Sequence, residues 1–268
     1  MNIRNNFDII LIGENTLLIF ILDKVIKNDS FNIKAIISDN LDIHKYAYYN
    51  EIPCIEYAKY KSNPIRCDYI FSIVNHHIIP SYIIKNYVNK LAINYHDSLL
   101  PKYAGLNSTT WAILNNETSH GITWHAINDR IDSGNIYLQK KVTIEPKDTA
   151  NDLNIKCSNI AVEYFDELIK KILKSDMKPA IQNLINQKYY GKNILPNTIG
   201  IIDDSMSFEQ ISTLSRALSF GEHNINGVAT LKIEINNEFY IISSLRIRRV
   251  NLTESTNLRV NKKYLLCK

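Results

Sequence analysis

Phe7-Asp8-Ile9-Ile10-Leu11-Ile12-Gly13 is an apolar run stopped by a glycine, and the apolar positions from Leu17 to Ile26 that follow keep a helical rhythm. A strand this continuously apolar is buried on both faces, as in a parallel sheet covered by helices, so the stretch reads as the first half of a βαβ unit. Outward from it, Asn32 to Ser38 reads as a second strand, Leu41 to Asn50 as a second helix and Ile52-Pro53-Cys54-Ile55 as a short third strand. Asp68 to Val74 is another buried strand. Asn75-His76-His77-Ile78-Ile79-Pro80 is then a loop into a helix from Ser81 to about Tyr87, and Ala92 to Tyr95 is the next strand. The alternation defines an α/β fold with a parallel, Rossmann-like sheet.

Gly13-Glu14-Asn15-Thr16-Leu17 offers one glycine where a dinucleotide fingerprint needs three. Without the second, the backbone is not cleared for close approach to a pyrophosphate, so Gly13 reads as a turn glycine and NAD is rejected. Farther on, Ser108 to Asn115 reads as a helix capped by Asn107 or Ser108, and Gly121 to Ile127 and Ile136 to Ile144 as strands. Asp148-Thr149 caps one long helix from Ala150 to Leu173, which closes a catalytic unit over residues 1–174. Residues 175–204 lose periodicity and read as a surface linker. In residues 205–268, Ser207-Phe208-Glu209-Gln210 is a capping box opening a helix. Val228 to Ile235 and Glu238 to Leu245 flank Asn236-Asn237 as a hairpin, and Arg246 to Val250 and Tyr264 to Cys267 are strand-like, which predicts a second, smaller, mostly β domain.

With 268 residues the chain is long enough for such a pair of units. The net charge of +4 comes without a basic block beyond Arg246-Ile247-Arg248-Arg249, so nucleic acid is not an expected partner. The start carries no signal-peptide pattern and no apolar run reaches membrane-spanning length, so no membrane partner is expected and a cytoplasmic protein is. The four cysteines form no CxxC pair, and no metal site is expected. The apolar, strand-like end of the chain raises the expectation of a domain cut from a longer polypeptide.

The chemistry concentrates between Ile93 and Gly134. Asn94 and His96 alternate on one strand, so both side chains fall on one face at the carboxyl edge of the sheet while Tyr95 points the other way. Asp97 faces away from His96, which leaves Asp132, in Asp132-Ser133-Gly134, as the acid that a neighbouring loop could supply. Acyl transfer to an amine needs a donor for the developing oxyanion, an acceptor for the ammonium proton and a proton path to the leaving nitrogen. Asn94, His96 and Asp132 can fill these roles. The strand residues equally fit polar strand ends bonded to an adjacent loop, and spacing alone does not separate the two readings. His125 reads as pocket wall rather than proton carrier; Trp111 and Trp124 read as core aromatics. His76 and His77 lack the third ligand of a zinc site, and His44, His120 and His223 are expected at the surface.

Asn94-x-His96-x-Ser98-Leu99-Leu100-Pro101-x-Tyr103-x-Gly105, the Trp111-Ala112-Ile113 helix, Glu117, Gly121-Ile122-Thr123 and Asp132-Ser133-Gly134 resemble the folate-dependent formyltransferase family from about Phe7 to Leu173, with a fainter match beyond. The resemblance implies 10-formyltetrahydrofolate as cosubstrate and Asn94, His96 and Asp132 as the catalytic trio. It also implies a folate pocket lined by Asn75, His76, His77, Ile78 and Ile79 and by Arg130 and Ile131, and a cis Leu100-Pro101 bond. Departures from the family's usual pattern are Ala104-Gly105 in place of Arg-Gly and His77 in place of a glycine. Tyr103-Ala104-Gly105-Leu106 and Arg216 to Gly221 are most similar to formyltransferase domains of hybrid peptide and polyketide synthetases. The amine acceptor this implies is an aminoacyl group on a carrier protein, ahead of an amino-sugar nucleotide and then methionyl-tRNA; a formyl-folate hydrolase is the further alternative.

Overall fold

The computed structural model describes residues 6–174, 178–194, 196, 200–203, 205–220, 230–235 and 238–242. The chain begins β1 (Phe7–Gly13), α1 (Thr16–Ile26), β2 (Phe31–Ile37), α2 (Leu41–Tyr49), β3 (Cys54–Ile55), α3 (Tyr57–Ser62) and β4 (Cys67–Ile73). It continues through α4 (Ser81–Tyr87), β5 (Val88–His96), the two-residue β6 (Ala104–Gly105), α5 (Ser108–Leu114), β7 (Ser119–Ala126) and β8 (Ile136–Thr143). One sheet has the order β3-β2-β1-β4-β5-β7-β8. β1, β2, β3, β4 and β5 pair in parallel, and β7 joins β5 antiparallel.

The first strand lies inside the sheet, between β2 and β4, because from Ile9 on nothing along it tolerates water. Ile9, Ile10, Leu11 and Ile12 are fully buried, each contributing about 1.5–3 kcal/mol relative to exposure. Gly13 ends the strand because β4 runs too close for any side chain, a Cβ there standing 2.0 Å from the Ile73 carbonyl oxygen. Sheet packing therefore requires this glycine. α3, which the sequence reading did not predict, follows β3 directly and buries Tyr57 and Tyr60.

The long helix expected over Ala150 to Leu173 is two, α6 (Ala150–Glu163) and α7 (Phe165–Leu173), meeting at Tyr164. Tyr164 itself leaves helical geometry, with φ −95° and ψ 7°, while Tyr164 N still bonds Ile160 O and Leu168 N bonds Tyr164 O. The remaining elements are β9 (Tyr189–Tyr190), β10 (Ile201–Ile202), α8 (Phe208–Ala217), β11 (Lys232–Ile235) and β12 (Glu238–Ile241). The expected hairpin is β11 with β12, and the expected capping box opens α8. The strand-like runs at 246–250 and 264–267 lie outside the described residues.

Contacts group the chain into two compact units. The first is Met1–Gly105, Gly121–Val142 and Lys156–Tyr189, and the second is Leu106–His120, Thr143–Ile155 and Tyr190–Lys268. The grouping is interleaved along the chain, where the sequence pattern suggested consecutive blocks. In the second unit α5 packs on α8, with Thr110 Oγ1 donating to Ala217 O at 3.0 Å, and Ile202, Ile211, Leu214, Leu218 and Leu231 form its core. Residues 178–189, read from sequence as surface linker, belong to the first unit. Among the described residues no helix is long and apolar enough to cross a membrane.

Candidate active site

Strand register builds the site. Across β4, β5 and β7 the pairing places Ser72 beside Asn94 and Asn94 beside His125, with His96 beside Thr123 one step along. Ser72 Oγ donates to Asn94 Oδ1 at 2.8 Å, and Asn94 Nδ2 donates to Tyr95 O at 3.0 Å while lying 3.3 Å from His125 Nε2. Tyr95, on the other face, packs its ring 5.4 Å from that of Trp124. Asp97 acts on the Tyr95 and Cys157 side of the sheet, where its charge adds to the effect of burial in raising both groups.

Asp132 reaches this row from the loop between β7 and β8. Its Oδ2 is 3.5 Å from His96 Nδ1 and its Oδ1 is 3.4 Å from His125 Nε2, so one carboxylate stands between two imidazoles. Gly105 N donates to Oδ2 at 2.8 Å. Burial works against the Asp132 charge, yet His96, His125 and the Gly105 N–H together hold its carboxyl well below the ordinary carboxylate range. Asp132 has a left-handed φ of 49°, uncommon for a residue with a side chain, so the loop must hold it in place.

The other nitrogen of each ring is already assigned. His96 Nε2 lies 2.8 Å from Tyr103 O, and His125 Nδ1 lies 2.9 Å from Ala126 O. A carbonyl only accepts, so both of these nitrogens carry hydrogen, and the nitrogens facing Asp132 are bare when the rings are neutral. One added proton then belongs to the shared space between carboxylate and rings. Thr123 braces the neighbouring loop: its Oγ1 donates to Ser98 O at 2.6 Å and accepts from Leu100 N at 3.1 Å and Gln139 Nε2 at 2.9 Å. The Leu100-Pro101 bond is cis.

The expected cofactor residues divide by environment. Asn75 closes its loop on itself, with Nδ2 donating to His77 O and Oδ1 accepting from His77 N, both at 2.9 Å. His77 stacks on Tyr57 with centroids 4.0 Å apart and meets Asp39 Oδ2 at 2.9 Å. Among the described residues Glu14, Asp39 and His77 bring ligand-type atoms within 4.8 Å of one another, and here Asp39 and His77 are paired directly. His76 is exposed, Ile78 is 76% exposed and Ile131 is 44% exposed, beside an exposed Arg130. Ile79 turns inward, packing into the core as a support for the loop. His120, expected at the surface, is buried, while His44 is half-buried with Nε2 2.8 Å from Ser38 O; His223 lies outside the described residues. Trp124 is a core aromatic, and Trp111 stacks on Tyr190 at 4.5 Å.

His125, read from sequence as pocket wall, stands in the row itself, against Asp132 and Asn94. The signal was the Thr123/His125 alternation, which acquires meaning only when β7 is set antiparallel against Asn94 and His96. A buried carboxylate shared by two imidazoles at the carboxyl edge of an open α/β sheet has the composition of an acid–base enzyme site.

Comparison with known proteins makes the class specific. Residues 56–169 match the family described as formyl transferase. GDP-perosamine N-formyltransferase of Brucella melitensis is 34% identical over 182 residues, 68% of this chain and 66% of that protein, so the match spans just under two thirds of the relative. The N-formyltransferase of Helicobacter canadensis, solved with folinic acid and dTDP-3-aminofucose, is 26% identical with a TM-score of 0.68, covering 85% of this chain and 84% of that one. A 4-N formyltransferase from Francisella tularensis shares the fold at a TM-score of 0.74 and 20% identity, over 91% of this chain and 99% of that one. The chain belongs to the folate-dependent formyltransferase family, a family of formyl-transferring enzymes.

Proposed function

We propose that the protein transfers the formyl group of 10-formyltetrahydrofolate to the amine of an amino-sugar nucleotide. The carboxylate shared by two imidazoles beside a strand-borne carboxamide carries the transferase reading, because it supplies every proton-handling group that acyl transfer to an amine requires. The sugar-nucleotide acceptor replaces the carrier-bound aminoacyl group expected from sequence, and the Brucella and Helicobacter enzymes support it: one is named for an amino sugar and the other was solved with one. For the cosubstrate, the exposed apolar Ile78 and Ile131 suit a flat heterocycle, with the main chain of the Asn75 to Ile78 loop held in shape by Asn75 and Tyr57. The cosubstrate supplies an electrophilic formyl carbon on nitrogen.

The chain's own groups do the rest. Asn94 keeps its carboxamide oriented through Ser72 and turns Nδ2 toward the reacting oxygen, giving up the long contact to His125 as negative charge develops. Asp132 accepts the proton of the attacking ammonium. His96, its Nε2–H fixed on Tyr103 O, takes that proton from the carboxylate at its bare Nδ1 and delivers it to the departing nitrogen as the bond between that nitrogen and the formyl carbon breaks. His125 keeps the carboxylate paired while this happens.

The deciding experiment incubates the protein and 10-formyltetrahydrofolate with GDP- and dTDP-linked amino sugars, an aminoacyl-carrier protein and methionyl-tRNA, and reads formylated product by mass spectrometry. Product from an amino-sugar nucleotide is the expected result. Product only from the carrier or tRNA substrate overturns the acceptor, and formate release with no amine product overturns the transferase reading.

A further inference from the structure

Residues 180–188 look like plain connecting chain, yet they bind to both loops that shape the acid–base site. Ala180 exchanges main-chain bonds with Ile136, at 2.8 and 2.9 Å, just after the Asp132 loop. Lys188 N donates to Pro101 O at 3.3 Å and Lys188 O accepts from Ala104 N at 2.9 Å, bracketing the turn that presents the Tyr103 carbonyl and the Gly105 N–H. Between these anchors stands Gln182, 7% exposed. Its Nε2 donates to Asp132 O at 3.1 Å and to Gly134 O at 2.6 Å, so both amide hydrogens are spent on one three-residue stretch.

The orientation of this carboxamide is not interchangeable, since swapping its ends would set an oxygen against two carbonyl oxygens. Gln182 Oε1 is buried with no hydrogen-bond partner among the described residues. Burying an acceptor in that way costs about 1–3 kcal/mol, so a side chain present only to fill space would be better served by leucine or methionine. The position needs the two donated bonds. They fall on a residue whose backbone is left-handed and whose carboxylate must stay between two rings.

We propose that Gln182 is a positioning residue for formyl transfer: by clamping the carbonyls of Asp132 and Gly134 it holds the Asp132 carboxylate between His96 and His125. The inference rests on the role given to Asp132 above. It assigns to the 180–188 segment the work of tying the two loops together, with Gln182 its buried side chain on the Asp132 loop, together with Gln187, whose Nε2 donates to Ile131 O at 3.4 Å.

The test compares wild type, Gln182→Met, Gln182→Asn, Asp132→Asn and the two double variants by steady-state formyl transfer, after thermal unfolding has shown each to be folded. Gln182→Met keeps the volume and removes the donors, and it is expected to lower kcat about 10- to 100-fold with the KM for the formyl donor within about 3-fold. On the Asp132→Asn background the same change is expected to cost less than about 2-fold, because a residue that acts through a carboxylate has nothing left to act on. If Gln182→Met does not fold, Gln182→Asn, too short to reach both carbonyls, carries the same comparison. If Asp132→Asn is too slow to measure, faster amide hydrogen exchange across residues 131–135 in the Gln182 variant replaces the double variant. Equal losses on both backgrounds, unchanged exchange, or a single variant as active as wild type overturns the inference. Should Asp132→Asn itself transfer formyl at the wild-type rate, the assignment of Asp132 falls and Gln182's role with it, whereas an inactive Asp132→Asn beside a fully active Gln182→Met refutes this inference alone.

Discussion

Gly134→Ala separates position from chemistry, because it removes no functional group. A Cβ at residue 134 would stand 1.8 Å from the Ala126 carbonyl oxygen and 2.7 Å from its carbon, where ordinary contact begins near 3.4 Å, so the loop must withdraw by about 1.6 Å. The opposing atoms are main chain, and Ala126 N is itself bonded to Asn135 O at 2.9 Å, so the strand cannot yield in place of the loop. Asp132 lies two residues earlier, with its carboxylate set by contacts of 2.8, 3.4 and 3.5 Å to Gly105, His125 and His96. A displacement of order 1 Å breaks that set and is expected to cost about 100-fold in kcat, alongside an overpacking penalty of about 1–3 kcal/mol in stability. Single-turnover formyl transfer at saturating donor and acceptor reads the first quantity, and chemical denaturation the second. A folded Gly134→Ala protein with single-turnover kinetics within 3-fold of wild type would show that the loop's position does not govern the chemistry.

The other expectations address single groups. His125→Phe keeps a ring and loses both nitrogens, and it is expected to lower kcat about 10- to 100-fold; an unchanged kcat would return His125 to pocket wall. The Asp132 carboxyl sits below its ordinary 3.8, so its charge contributes stability that is fully present above that pH and lost as pH falls through the folded-state value. Asp132→Asn should therefore lower Tm at neutral pH and converge on wild type in acid, and a gap that widens on acidification contradicts the pairing. Burial, with help from Asp68 and Asp8, pushes the Cys67 thiol up to about 12, and burial with Asp97 raises Cys157 well above its ordinary value. A thiol reagent at mildly alkaline pH should leave both unlabelled in the native protein, read by peptide mass spectrometry, and rapid labelling of either would place it outside the core.

The parts of this fold legible in the sequence are those governed by local pattern. Ile9 to Ile12 advertise an interior strand because burial on both faces leaves no room for polar residues, and the alternation of Asn94 with His96 fixes a shared face whatever lies beyond it. What stayed hidden depends on pairing between distant segments. His125 joins the site only through its register with Asn94, and Gln182 only through a loop 48 to 50 residues away. Ile79 looks the same as Ile78 in a list of loop residues, and only packing shows that one faces water and the other the core. Gly13 was read from the right absence, that of further glycines, but its positive reason, the nearness of the Ile73 carbonyl, belongs to sheet geometry. The acceptor is specified least by the motif, because the proton-handling groups are indifferent to which amine arrives.

The bonds from His96 to Tyr103 O and from His125 to Ala126 O have one more consequence. A half-turn of either ring would put a ring carbon where each nitrogen stands and surrender its carbonyl, so neither imidazole can work as a swinging arm. In the proposed reaction, protons would cross this site by the reordering of bonds along stationary carriers. Proton transfer there would then not wait on side-chain rotation.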